Sequence, residues 1–525
     1  MKKVIYQSCQ DYLVDLACKM EDCGWVPIYC LTYSKTRDKV KDRYPDVICH
    51  HQYDAIKGIP PKEHADLELL PLCPEILKKM ESFERCALRM LDRNDSHDHN
   101  FLHVERVRFY KKILSYWITV LSKLKPDIVV FQQEPHLFYD YVLYGVCKVL
   151  NIKTIMFIRT LLENRMFAVN SFEEGSQAIN EHYQKELRAG NAKSLELPKI
   201  LHDYLSAIRG NYEDVISLHL WDQIDEVKLL ASSKNNFFIK VKKLFLTMES
   251  KFTFSDMLVR YRFVFSKGKN RFYSDQKQKN RSLTNSKFTY FEYLYYMSRT
   301  LIKKKLNKNF YKSISTKNLD LDCKYVFCAL HYQPEMTTSP LGGEFDDQEY
   351  MIKLISQLVP KGWLVYVKEH PSQFVSSYAR YGEMRNRGYY RSILKCPNVR
   401  FVPLTSDTFS LIDNSMAVAT VTGTVAWESV IREKPALIFG HAWFKNCNAV
   451  FHITSVDDLM RALSVISKGY AVNYDHVRLF AKVVFDNSVN AFIGGQAKDS
   501  KISHFQNGQR HAEAIKKLFN SNQSI

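Results

Sequence analysis

The stretch over 417–439, AVATVTGTVAWESVIREKPALIF, restricts the fold more than any other part of the 525-residue chain. It reads as a short apolar strand (417–421), a Thr422-Gly423-Thr424 turn, a helix (425–431) and a second strand (436–439). Strand, tight turn, helix and strand form the crossover unit of a parallel sheet. Earlier in the chain, WLVYVKEHPSQF sets a similar apolar run (363–367) before Lys368, Glu369, His370 and Pro371. Strands that end in small or cationic groups build the crevice in which open α/β sheets hold phosphate-bearing ligands. Gly423 permits a tight turn and close approach to the backbone. Thr424 falls at an N-cap position, where its hydroxyl and the free amides behind it hold an anion. Glu428 lies one turn further on the same face, placed to accept hydrogen bonds from ribose hydroxyls. Lys368 and His370 supply charge or donors to a phosphate. Taken singly, a His-Pro after a strand marks a turn with a satisfied histidine, and a Gly-Thr turn is common in α/β proteins. In this order, within one domain, they point to a site.

The same rhythm recurs at both ends of the chain. The N-terminus reads strand (3–7), helix (12–20), strand (25–31), followed by a long helical stretch over 63–91, broken by Pro71 and Pro74, and a helix over 101–124. DIVVFQQEPH then gives a buried strand (127–131) that runs into Gln132, Gln133 and Glu134, and a helix (139–150) and strand (154–158) lead to Arg159. Alternation stops near 172 and resumes at CKYVFCALHYQPEMTTSPLGGEFDD, where a strand (325–330) meets His331, Gln333 and a Gly342-Gly343 turn before a helix starting near Asp347. The expected architecture is α/β: two Rossmann-like domains facing a cleft, the GT-B arrangement, with a basic helical insertion. The expected divisions are 1–171, 172–320, 321–490, and a tail with a helix over 491–525.

At this length two or three domains are expected. No run approaches eighteen uncharged apolar residues, and charged and polar residues interrupt the start of the chain, so neither a membrane span nor a signal peptide is expected. Twelve cysteines without Cys-x-x-Cys pairs read as reduced core residues of a cytosolic protein. The net charge of +18 is concentrated: 234–317 holds 21 Lys or Arg against 4 acids, with aromatics at short intervals. A solvated basic linker explains such a segment, and so does an anionic partner. No nucleic-acid module is present, so the expected partner is an anionic membrane surface or an acidic acceptor rather than nucleic acid.

Residues 325–451 resemble the capsule polysaccharide biosynthesis family. HYQPEMTTSPLGG, DDQEYMIKLI, YVKEHPSQF, VATVTGTVAWE and KPALIFGHAWF look like its blocks. That family is similar to transferases of 3-deoxy-manno-octulosonic acid (Kdo) and, more distantly, to bacterial sialyltransferases. The likeness weakens over the first 170 residues and is absent from the basic insert. It implies that His370 and the Thr422–Thr424 turn hold the nucleotide's phosphate. Threonine stands here for the usual serine, and Glu433-Lys434 for the glycine common between helix and strand.

The resemblance implies a nucleotide-sugar-dependent glycosyltransferase of bacterial capsule or other surface polysaccharide, with CMP-Kdo the leading donor and a glycan or lipid-linked acceptor. It would lie in the cytoplasm against the inner membrane face, docked through 234–317. Transfer needs a carboxylate for the acceptor's proton and groups that neutralise the departing phosphate. Glu134 and His370 are the expected catalytic residues, with Lys368, Thr422, Gly423, Thr424, Glu428, His331, Gln333 and Arg159 around the ligand. Glu335, Asp346 and Asp347 are rival bases. No spaced DxD motif is present, so no metal or cofactor is expected. The alternatives are a diphosphate donor, transfer of a polyol phosphate, or a non-catalytic component of capsule assembly or export.

Overall fold

The computed structural model describes residues 1–7, 11–95, 101–162, 164–210, 290–374, 385–493 and 502–523. The first domain runs β1 (Lys2–Gln7), α1 (Leu13–Glu21), β2 (Trp25–Thr32), α2 (Ser34–Arg43), β3 (Ile48–His51), α3 (Gln52–Ile56), α4 (Pro74–Lys79), α5 (Glu81–Met90), α6 (His103–Leu124), β4 (Ile128–Phe131), α7 (Phe138–Val149), β5 (Lys153–Arg159) and β6 (Arg165–Val169). Helices α8 (Gln177–Arg188) and α9 (Lys199–Arg209) follow. The second domain begins with α10 (Tyr290–Ile314) and continues β7 (Tyr325–Ala329), α11 (Gln348–Leu358), β8 (Leu364–Lys368), α12 (Arg387–Ile393), β9 (Val399–Phe401), α13 (Thr408–Asp413), β10 (Ala417–Thr420), α14 (Thr424–Ile431), β11 (Ala436–Ile438), β12 (Val450–His452) and α15 (Val456–Ser467). The chain ends with α16 (Tyr474–Asn487), β13 (Val489–Asn490) and α17 (His504–Gln523).

The two sheets share one logic. The second is ordered β12-β11-β10-β7-β8-β9, all parallel. The first is β13-β6-β5-β4-β1-β2-β3, parallel from β5 to β3 and antiparallel at the β13-β6-β5 edge. In each, the strand order reverses beside the first strand of the domain, between β1 and β4 and between β7 and β10. Loops leaving the carboxyl ends of strands at such a switch point diverge to opposite faces and open a crevice. The strands flanking both points are buried on both faces, hence their continuous apolar runs.

The expected fold class is therefore what the sheets show: α/β, two Rossmann-like halves. Some boundaries fall elsewhere. The helical stretch expected over 63–91, broken at its prolines, has no α-helix ahead of them: the first begins at Pro74, which takes the first helical position. The end of α10 belongs to the second core: Tyr311 is buried and donates its hydroxyl to Val402 O at 2.7 Å. Of the basic stretch 234–317, residues 234–289 lie outside the described residues. Ahead of the boundary expected at 490, α16 already packs on α8 of the first half, and β13 pairs with β6. The final helix α17 lies on α1, where a Cβ on Gly508 would come within 2.6 Å of Asp15 Cβ and 2.9 Å of Tyr12 O.

One local conformation is under strain. Glu433, which ends the α14 crossover in place of the expected glycine, has φ +61°, a left-handed geometry costing a side-chain-bearing residue about 1–2 kcal/mol. Its exposed ion pair with Arg209 (2.6 Å) returns less than about 1 kcal/mol. Glu433→Gly is expected to raise stability by about 0.5–1 kcal/mol in denaturant unfolding, and Glu433→Val to lower it by more than that.

Candidate active site

The residues singled out in the second domain gather at its switch point. His331 follows β7 and is fixed by its own main chain: its N–H donates to Gln348 Oε1 at 2.7 Å. Its Nε2 accepts the Thr422 N–H at 3.1 Å, with the Thr420 hydroxyl 3.1 Å from the same nitrogen. An Nε2 that accepts leaves the ring proton on Nδ1. Burial, with His370 and Arg385 nearby, holds the imidazole down at about 3, so it stays neutral. The histidine thus pins the turn after β10 to the end of β7. Thr422 adds a hydroxyl bond to Thr337 O at 2.8 Å.

That turn differs from expectation in one detail. Gly423, not Thr424, is the N-cap of α14. Its φ of −65° is open to any residue; a Cβ there would stand 2.8 Å from Thr420 Oγ1, so packing rather than conformation requires glycine. Thr424 is the first helical residue, and its hydroxyl donates to Glu428 Oε1 at 3.2 Å. The first N–H groups of α14 have no intrahelical acceptor and carry the positive end of the helix dipole. Burial pushes Glu428 up to about 7, against its Thr424 hydrogen bond and the charge of Arg432.

His370 accepts the Ser372 N–H on Nδ1 at 3.2 Å, so its proton sits on Nε2. Burial and Lys368 hold it down at about 4. It is a neutral donor beside His331, within electrostatic reach of it. Lys368, expected at the phosphate, directs its ammonium elsewhere: it donates to Ser406 O at 2.6 Å and Thr408 Oγ1 at 2.8 Å. Burial draws it down to about 8, with Asp407 acting in the other direction. It braces the start of α13.

Gln333, expected to line the crevice, is buried and serves a network that sequence reasoning missed. Glu369 and Arg385 form an ion pair at 2.9 Å with side chains 0% and 2% exposed. Glu369 also accepts from the Tyr390 hydroxyl and the His370 N–H, both at 2.9 Å. Arg385 donates to Gln333 Oε1 and to His331 O, and the Gln333 amide donates to Asp346 O at 2.6 Å. The only trace in sequence was the Glu between Lys368 and His370, because its partner lies sixteen residues on.

Across the cleft stands Glu134, half-buried after β4 at the first sheet's switch point. Burial pushes its carboxyl up to about 7, opposed by its own main-chain N–H and by Arg159 at the end of β5. A narrow pocket joins the halves here, lined by Glu134, Phe172 and Ser176 on one side and His441, Trp443 and Lys445 on the other. His441 follows Gly440, where a Cβ would meet Leu341 O at 2.5 Å and Thr422 Cγ2 at 2.7 Å. Glu134 therefore faces a segment that packs directly on the Thr422 turn. The rivals are otherwise engaged. Asp347 caps α11, and Asp346 lies 3.7 Å from Arg89. Glu335 accepts from the Thr337 hydroxyl at 2.9 Å and feels Arg93.

Residues 285–447, which contain every one of these second-domain groups, match the family model described as capsule polysaccharide biosynthesis protein. The chain resembles that family. No curated protein matches the sequence. Among solved structures, similar chains include KpsC of Thermosulfurimonas dismutans, a beta Kdo 2,7 transferase (7% identity, 99% of this chain and 100% of that one, TM-score 0.31). Another is the UDP-GlcNAc 2-epimerase of Methanocaldococcus jannaschii (13%, 99% and 100%, TM-score 0.23). A third is Anabaena HepE in complex with UDP-glucose (9%, 100% and 99%, TM-score 0.22). The fold stands on the sheet orders given above. Among the described residues, no helix is long and apolar enough to cross a membrane.

If His331 pins the turn, His331→Phe strands the part-buried Thr422 N–H, at a cost of about 1 kcal/mol. Hydrogen exchange at residues 420–424 is expected to accelerate before global unfolding. Unchanged exchange there would show that the turn holds without the histidine.

Proposed function

We propose that the protein is a glycosyltransferase of bacterial capsule or related surface-polysaccharide synthesis that uses a nucleotide-sugar donor. The observation that carries the reading is the family match over 285–447, on the residues that converge at the β7/β10 switch point. The resemblance makes CMP-Kdo the leading donor and a glycan or lipid-linked molecule the acceptor; no metal or cofactor is required, and the chain works at the inner membrane face. The described chemistry supports such a step. The donor phosphate lies against His370 Nε2–H and the first amides of α14, where Thr424 begins the helix and keeps its hydroxyl on Glu428. Glu134 takes the acceptor's hydroxyl proton as that oxygen bonds to the anomeric carbon and the bond to phosphate breaks. The developing phosphate charge meets donors already oriented, which is where such sites gain most.

Glu134→Gln keeps shape and cannot take a proton. Transfer is expected to fall about a hundredfold to ten-thousandfold, with the thermal shift given by CMP unchanged. His370→Ala is expected to lose both rate and nucleotide affinity while folding normally. A Glu134→Gln enzyme that keeps more than about a tenth of the rate would remove Glu134 as the base.

The pH dependence gives a separate check. A carboxyl near 7 is protonated and idle at pH 5, so kcat/KM is expected to rise with pH, to reach half its limit at about 7 and to level off roughly one pH unit above that. Stability moves the other way. The folded state holds the Glu134 proton more tightly than the unfolded chain, so this group's contribution falls as pH rises from about 4.5 to about 7. An acid limb in rate without an acid limb in unfolding would separate catalysis from denaturation.

A further inference from the structure

The first domain holds a second concavity, away from the nucleotide crevice, on the β3 side of its sheet. It has a volume of about 200 Å³. Its walls are Ile59, Leu67, Leu69, Ile113, Trp117 and Tyr139, with Lys112 at the edge. The polar atoms in the wall satisfy one another in a fixed direction. Ile59 O can only accept, so His50 Nε2 carries the proton that reaches it at 2.8 Å. His50 Nδ1 then accepts from the Tyr29 hydroxyl at 2.5 Å, and Tyr29 accepts from the Tyr116 hydroxyl at 2.9 Å. Tyr116 in turn accepts from His64 Nδ1–H at 3.1 Å. Burial lowers both histidines, His50 to about 4. The wall is thus neutral, and Lys112 is its one ionised group.

The mouth is apolar where a surface is ordinarily polar. Ile59 is 48% exposed, Leu69 39% and Leu70 44%. Their loop is fastened to α6: Ser115 Oγ donates to Leu70 O at 2.6 Å, and the Leu70 N–H donates to Thr119 Oγ1 at 2.9 Å. Single exposed apolar residues need no explanation, but Ile59 and Leu69 both line this open cavity, with exposed Leu70 next in the chain, and together they mark a ligand site. Lys112 makes no ion pair among the described residues, and the loop acids Glu63, Asp66 and Glu68 do not line the cavity. Arg108 and Lys111 lie exposed on the same helix. The Tyr139 hydroxyl meets the Gln7 amide at 3.2 Å, and that amide also donates to Asp140 at the start of α7, just past Glu134.

We propose that this cavity binds the hydrocarbon chain of a singly tailed anionic amphiphile, with Lys112 at the mouth taking the head group. The proposal stands independently of the transferase reading. The test is calorimetry of the full chain with alkyl phosphates from hexyl to dodecyl, each as monomer, and with dodecyl maltoside as the neutral control. Affinity is expected to rise about fourfold per methylene and to level off once the chain outgrows the cavity. Lys112→Glu is expected to weaken dodecyl phosphate about tenfold and to spare dodecyl maltoside; Leu69→Asp is expected to weaken both. Both substitutions sit on exposed positions, and circular dichroism checks the fold. No monomer binding, affinity rising without a plateau, insensitivity to both variants, or binding to anionic phospholipid vesicles alone would each overturn the proposal. A missing CMP thermal shift, by contrast, would count only against the transferase reading.

Discussion

The second half of the molecule depends on one buried ion pair. Glu369 and Arg385 are withdrawn from water, and such a pair is tolerated only when further hydrogen bonds satisfy both partners. Here they do: a tyrosine hydroxyl and the His370 amide complete the carboxylate, and Gln333 and the His331 carbonyl complete the guanidinium. Arg385 also lies over the Tyr389 ring at 4.2 Å. One charge pair therefore sets the main chain of two strand exits, after β7 and after β8. Those exits present His331 and His370 side by side. Removing one partner would leave a buried charge alone, typically a loss of about 3–5 kcal/mol, and would release both exits together.

The crevice is a consequence of topology before it is one of side chains. Both sheets reverse order beside their first strand, so each half opens at one place only, and the groups that converge there come from strands distant in sequence. What holds the two openings toward each other is the chain's return. Trp427 of α14 stacks on Phe444 (5.9 Å) and donates to the Tyr204 hydroxyl of α9 at 3.2 Å, while Tyr183 of α8 donates to His476 O of α16 at 3.1 Å. A single apolar core runs through these helices from the first sheet to α14. The arginines of α5 add charged contacts to the loop after β7, pairing Arg85 with Glu344 and Arg89 with Asp346.

Period and turn chemistry made the strands on both sides of each switch point legible in sequence, because a doubly buried strand leaves an unbroken apolar run. The Thr422 turn and His370 were legible for the same reason: they follow such runs at once. Four things were not. The prolines after 70 were read as interruptions of a helix that in fact had not begun. Lys368 looked like a free cation because nothing local shows that Ser406 and Thr408 lie across from it. The Glu369–Arg385 pair was invisible, since both residues are charged and pattern alone sends charge to the surface. The edge strands β6 and β13 were missed too; their pairing is a long-range event joining residues 165–166 to 489–490.

The carboxylates around the crevice are best distinguished by what already occupies them. Asp347 and Asp140 serve as helix caps, and Asp140 is buried to 1%. Asp346 and Glu335 each face an arginine, and Glu428 holds the Thr424 hydroxyl. A general base must be open to the proton it takes and must hold it near working pH. Glu134 is half-buried, is raised to about 7 mainly by loss of water, and lies across a pocket from the His441 segment. Arg159 moderates that rise without abolishing it. The same residue in a wetter setting would be a permanently charged surface glutamate, and in a deeper one a fully enclosed acceptor like Asp140. Glu134 thus stands at the boundary between those two conditions, after β4 where the first sheet reverses its order.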